Sequence, residues 1–245
     1  MIFESIASKF QFKFKDRVTA ANILGESLKD KIKKQEEQRN AVVLGIPRGG
    51  VITADIVAKK LSTNNFDIVI PRKLTDIDNK EQAIGAIMED GTTYIDKELV
   101  EELSIPSEYI EKEKAYQIQE IKRRSSLYRR QGLDYNNKIK ITGKTTTTTT
   151  ILVDDGAATG ATIIAAARWV RRTLNPKRLI IAIPVAPKDT LQRLKGECDA
   201  VEVITSPSSM FRSVSQYYQS FESVSDDKVI EIMKARSMHP LLIRH

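Results

Sequence analysis

The chain has 245 residues, 41% hydrophobic and 29% charged, enough for one packed domain; no run is long and apolar enough to cross a membrane, and the amino terminus lacks a signal-peptide pattern, so a cytoplasmic location is expected. A single cysteine, Cys198, rules out an intramolecular disulfide or a cysteine-based metal site, and His239 and His245 leave little room for histidine chemistry. The formal net charge of +7 suits an anionic partner, either a polyphosphate metabolite or nucleic acid.

In chain order, strand and helix patterns alternate. Asp16–Lys34 has helical spacing, with Val18, Ile23, Leu24 and Leu28 on one face and Asp16 as N-cap. Asn40–Pro47 is a short apolar strand ending in PRGG, and VITADIVAKKL continues as a helix. Phe66–Lys73 reads as a second strand, followed by the polar stretch Leu74–Gln82. AIGAIMEDGTTYID reads as a hairpin turning at Asp90-Gly91. Pro106–Arg130 is a charged helix carrying Ile110, Ile118, Ile121 and Tyr128 at near-heptad spacing. The threonine run Thr145–Thr150 leads into the strand ILV. Beyond it come a helix (ATIIAAARWVRRTL), a strand (KRLIIAIPVAP), a helix (KDTLQRLKGE), a strand (DAVEVIT), an aromatic tail and a last helix, DKVIEIMKARSM.

Short apolar strands without alternation are buried on both faces, and helices intervene. That predicts an α/β fold with a mostly parallel central sheet covered by helices on both faces. Ligands of such sheets sit beyond the carboxyl ends of the strands. Three strand ends carry unusual chemistry. In DDGAATGAT (Asp154–Thr162), two glycines and two alanines leave backbone amides open at a helix start, which suits a monophosphate. Asp154 and Asp155 would repel a phosphate but suit a vicinal diol or a magnesium-bearing ligand. A phosphorylated sugar satisfies both halves. GIPRGGV adds Arg48 and the amides of Gly49-Gly50, suited to a second anion such as diphosphate, and Arg72-Lys73 ends the next strand with two cations.

These residues resemble the type I phosphoribosyltransferase family, whose signature of apolar residues, two acids, a short loop and TG-x-[TS] is matched by Ile151–Thr162. IPRGG is similar to the family's diphosphate loop, and Arg72-Lys73 to the basic pair before its flexible loop. A narrower group of stand-alone members shares PRGGV, RK, EQAIGA, VDDG-x-ATGAT, PVAP and the tail FRSVSQYYQSFESVSDD. The resemblance implies one phosphoribosyltransferase-like domain over 1–245, with hood elements from 97–135 and 205–245, and a homodimer as its assembly.

The activity so implied is transfer of phosphoribosyl from 5-phospho-α-D-ribosyl 1-diphosphate to a nitrogenous base, a purine among the options, with magnesium as cofactor. Gly156, Ala157, Ala158, Thr159, Gly160, Ala161 and Thr162 would hold the 5-phosphate; Asp154 and Asp155 would face the ribose hydroxyls and reach the metal through them or through water. Arg48, Gly49, Gly50 and Lys73 would face the diphosphate, with Arg72 also among the substrate-binding residues. Lys73, Arg48 and Asp155 are the candidate catalytic groups, and Pro184, Val185 and Phe211 the candidate base contacts. Where 6-oxopurine enzymes of the family carry an aspartate this chain has Ala158, as adenine-type members do. A cis peptide near Pro47–Arg48 is expected on the same ground. The competing reading is a regulator that senses the ribosyl diphosphate and binds nucleic acid through Lys122–Arg130 and Arg168–Arg178.

Overall fold

A computed structural model describes residues 13–129, 149–207 and 211–237. Helix α1 (Arg17–Lys31) starts where the Asp16 carboxylate accepts the Thr19 amide at 2.7 Å, as its sequence requires. After the short α2 (Gln35–Asn40) come β1 (Val42–Gly45), α3 (Gly49–Lys60) and β2 (Phe66–Ile68). A hairpin region follows, β3 (Arg72–Thr75), β4 (Ala83–Ile87) and β5 (Thr93–Ile95), then α4 (Lys97–Glu102) and α5 (Ser107–Arg129). The second half contains β6 (Thr149–Val153), α6 (Ala161–Leu174), β7 (Arg178–Val185), α7 (Lys188–Lys195) and β8 (Ala200–Thr205). A 3-10 turn at Val214–Tyr217 and helix α8 (Asp226–Ser237) complete it.

The five-stranded sheet has the order β2-β1-β6-β7-β8 and every pairing in it is parallel. Alternate residues of one strand serve opposite cores. Val42, Leu44, Leu152, Ile181 and Ile183 pack under α6, whereas Val43, Ile151, Val153, Ile180 and Ala182 pack under α1 and α3. That two-sided burial is why these strands read as unbroken apolar runs. A third cluster joins α5, α8 and the hairpin through Leu74, Ile84, Ile121, Tyr128 and Ile232.

Two expectations need correction. Phe66–Lys73 is not one strand: β2 belongs to the parallel sheet and β3 to a separate antiparallel sheet, β3-β4-β5. The break falls at Val69–Pro71, where proline has no amide to continue a ladder. On α1, Leu24 and Leu28 are buried, but Val18 and Ile23 are exposed, because Ala20, Ala21 and Gly25 share the inward face with the leucines. The hairpin turns at Asp90-Gly91 as expected, with Gly91 at φ 85°. Thr149 and Thr150 lie buried in β6, while 145–148 fall outside the described residues. Among the described residues no helix is long and apolar enough to cross a membrane.

Candidate functional site

Strands β1 and β6 lie side by side, Gly45 opposite Val153, and the Ile46 amide donates to the Val153 carbonyl at 3.0 Å. Their carboxyl ends therefore release PRGG and DDGAATG next to each other. The Pro47–Arg48 peptide is cis, and Arg48 precedes the first turn of α3. A Cβ on Gly49 would collide with Asp155 Oδ2, and one on Gly50 would stand 2.6 Å from Asp154 Oδ1. The paired glycines thus let the two acids lie directly against that first turn. Among the described residues the amides of Arg48, Gly49 and Gly50 carry no hydrogen bond.

The β6–α6 loop is shaped by Gly160, whose φ of 78° puts it in the left-handed region as the N-cap of α6. The Ala157 amide is taken by the Val185 carbonyl at 2.9 Å, so of the expected cradle this one donor points into the fold. Those of Ala158, Thr159, Gly160 and Thr162 carry no hydrogen bond among the described residues, and the Thr159 hydroxyl accepts the Ala161 amide at 3.4 Å. Buried Thr190, on α7, donates its hydroxyl to the Ala158 carbonyl. That bond holds a partly negative oxygen away from a loop whose amides can serve an anion.

The two acids differ in surroundings. Burial pushes the Asp154 carboxyl well above its ordinary range, and the Asp155 charge adds to this; the Asp155 amide, 2.8 Å from Asp154 Oδ1, and the charge of Lys73 act the other way. Asp155 Oδ2 accepts Arg17 Nε at 2.6 Å. Arg17 Nη1 also donates to the Glu222 carbonyl at 2.6 Å, and its guanidinium lies 3.6 Å from the centre of the Phe221 ring. The buried Tyr218 hydroxyl donates to the Asp155 carbonyl at 2.6 Å; burial, then the Asp155 charge, raises its pKa and keeps it a donor. Phe14 pairs with Tyr218 in a parallel bridge, and the Gln219 amide donates to the Phe14 carbonyl at 2.8 Å. The carboxyl-terminal tail is thereby laid across the acid pair.

The remaining candidates divide. Lys73 is exposed and close enough for its charge to act on Asp154. Arg72, its neighbour on the strand, points the other way: its Nε donates to Gln117 of α5 at 2.8 Å. The structure does not bring Arg72 together with the acids, because adjacent strand residues face opposite sides. Arg48 reaches toward Asp226 at the start of α8, Nη1 to Oδ1 3.8 Å, and Tyr128 donates to the same Asp226 oxygen at 2.6 Å. Val185 and Pro184 are buried, Val185 inside the aromatic cluster of the tail, and Phe211 stacks on Tyr217 with centroids 5.1 Å apart. Their visible partners are other residues of the chain. Arg17, Thr190 and Asp226 were not legible as site residues, since each reaches the site from a sequence-distant element.

The phosphoribosyl transferase domain family matches residues 16–220, a span that holds both loops and Tyr218. The chain belongs to that family. As a phosphoribosyl transferase family member it is 34% identical over 220 residues to proteins provisionally named phosphoribosyl transferases in two Mycobacterium tuberculosis strains, CDC 1551 and H37Rv. The match covers 90% of this chain and 46% of theirs, so the chain spans about half the length of those relatives. It is also similar to the solved structure of TT1426 from Thermus thermophilus, at 33% identity and a TM-score of 0.68, over 91% of this chain and 98% of that one. The fold is therefore the α/β fold of the family, with a mostly parallel sheet covered on both faces.

Proposed function

We propose that the chain transfers the phosphoribosyl group of 5-phospho-α-D-ribosyl 1-diphosphate to a nitrogenous base, releasing diphosphate. One observation carries this reading: two sets of amides that carry no hydrogen bond among the described residues, those of Arg48, Gly49 and Gly50 and those of Ala158, Thr159, Gly160 and Thr162, flank one pair of carboxylates. A ligand with an anion at each end and hydroxyls between them matches that order. The 5-phosphate would occupy the β6–α6 loop, the 2- and 3-hydroxyls would meet Asp154 and Asp155, and the diphosphate would lie over the start of α3.

Magnesium fits this arrangement only as an ion carried largely by the ligand. Among the described residues no three acidic, histidine or cysteine side chains converge on one point, whereas magnesium takes about six oxygens. Asp154 and Asp155 are hard donors that would reach it through water or the sugar hydroxyls. So held, it would supply positive charge to the departing diphosphate. Arg48 and Lys73 would add theirs from this chain, and Asp154 and Asp155 would hold the ring as positive charge builds on it.

The test is diphosphate release with the ribosyl donor, magnesium and a panel of bases, purines first. Base-dependent release is expected; donor binding without release on any base would overturn transfer. Arg48→Ala should weaken diphosphate binding about tenfold more than ribose 5-phosphate binding, because the lost contact is charge-assisted. Equal losses, measured by calorimetry with each ligand, would contradict the two-loop assignment. Thr190→Val keeps the methyl that packs near Gly160 and removes the bond to Ala158. About fivefold weaker ribose 5-phosphate binding is expected, as for one hydrogen bond; unchanged affinity would argue against an oriented loop.

The regulator reading has less support. Among the described residues the arginines of its basic stretches are paired within the chain: Arg123 and Arg124 with Glu120, Arg129 with Asp67, Arg168 with Glu197, Arg171 with Asp199, Arg172 with Asp90 and Arg178 with Glu37. Arg123 and Arg124 hold the Glu120 carboxyl down to about 2. Backbone recognition of nucleic acid calls on cations not already committed to carboxylates.

A further inference from the structure

We propose that Arg17 is a positioning residue for the sugar-binding acids, tying Asp155 and the carboxyl-terminal tail into one rigid unit; the proposal rests on the ribosyl-diphosphate reading above. Arg17 is the first residue of α1, 138 positions from Asp155 in sequence, yet its side chain is only 11% exposed and its guanidinium is held at Nε, at Nη1 and on one planar face. Nε grips Asp155 Oδ2, Nη1 grips the Glu222 carbonyl, and the planar face lies on Phe221. A cation that served only solubility would not be sealed in this way.

The geometry says what the contact does. Oδ2 of Asp155 is fixed between Arg17 and the first turn of α3, since a Cβ on Gly49 would run into Asp155 Oδ2 and stand 2.9 Å from Arg17 Nε. With one oxygen so held, the carboxylate cannot rotate freely, and its second oxygen has a set direction. Tyr218 fixes the main chain of the same residue through the Asp155 carbonyl. The side chain and backbone of Asp155 are thus both anchored, one from α1 and one from the tail. Arg17 further links the two anchors, because the ring and carbonyl it holds lie three and four residues beyond Tyr218. Lysine, lacking the planar fork, can supply the charge but not the simultaneous grip.

The experiment compares wild type, Arg17→Gln and Arg17→Lys in the full chain, by calorimetry with ribose 5-phosphate and, separately, with magnesium diphosphate. Melting temperature and limited proteolysis within residues 211–225 are followed alongside. Arg17→Gln should weaken ribose 5-phosphate binding about tenfold or more, as expected for a lost charge-assisted bond that orients a ligand-binding group, with diphosphate binding held within about twofold. Arg17→Lys should recover part of the sugar affinity, and cleavage of the tail should accelerate in Arg17→Gln. Wild-type sugar affinity in Arg17→Gln, or parallel loss of both ligands with a collapsed melting temperature in both variants, would overturn the positioning role. Failure of wild type itself to bind ribose 5-phosphate would instead overturn the functional reading, and this proposal with it.

Discussion

Replacing both acids, Asp154→Asn with Asp155→Asn, is expected to lower affinity for ribose 5-phosphate on the order of a thousandfold. Each carboxylate that meets a hydroxyl contributes about 2 kcal/mol as a charge-assisted acceptor, and about 4 kcal/mol corresponds to that factor. Asparagine keeps the shape, so the fold should persist, although the Arg17 pair with Asp155 loses its charge. Calorimetry on the double variant, with circular dichroism as the fold control, decides the matter: near-normal binding would mean that the acids do not hold the sugar. Asp154 alone offers a pH measurement. Its carboxyl is pushed above the ordinary range by burial, so the folded chain holds that proton more tightly than the unfolded one. The stability it contributes is therefore complete at low pH and is lost as pH rises through the raised pKa. Asp154→Asn cannot ionise, so its melting temperature should gain on wild type as pH rises above the ordinary carboxylate range of about 4. A difference that stays constant as pH rises would contradict the shift.

The parallel sheet and the two loops were readable because each is local. An unbroken apolar run such as Ile151–Val153, then two acids and a small-residue turn, states its burial and chemistry within a dozen positions. The cis Pro47–Arg48 peptide followed from the resemblance, not from any propensity. What escaped was what the tertiary fold adds. Nothing in the dipeptide Asp16-Arg17 distinguishes a helix cap with a solvated neighbour from a cap whose neighbour crosses to Asp155. The Arg72-Lys73 pair reads as two equal cations, yet strand alternation sends one to Gln117 and leaves the other exposed near Asp154. Phe211, a candidate stacking partner for a base, is stacked on Tyr217, the commoner fate of an aromatic side chain. The glycines of PRGG were read as bare amides; their tighter constraint, closeness to the acids, needs two loops from opposite halves of the chain.

That constraint gives the second large effect. Gly50→Ala is expected to destabilise the fold by about 3 kcal/mol and to remove ribose 5-phosphate binding. Gly50 is the second residue of α3, where alanine would otherwise favour the helix by up to about 1 kcal/mol, so propensity alone predicts a gain. Sterics predict the opposite. The new methyl would lie 2.6 Å from Asp154 Oδ1, 2.8 Å from Asp154 Cα and 3.0 Å from the Val153 carbonyl oxygen. Two of those three atoms are backbone, so a rotamer change cannot relieve the clash; either α3 or the acid loop must move, and the strands beneath both are packed on each face. Gly196→Ala is the control, because its methyl would meet nothing nearer than 3.5 Å and its φ is −73°, a value alanine adopts without strain. Urea unfolding should find Gly196→Ala near wild type and Gly50→Ala far below it. A neutral or stabilised Gly50→Ala that still bound ribose 5-phosphate would mean that α3 does not lie against the acids, and the two loops would then not form one site.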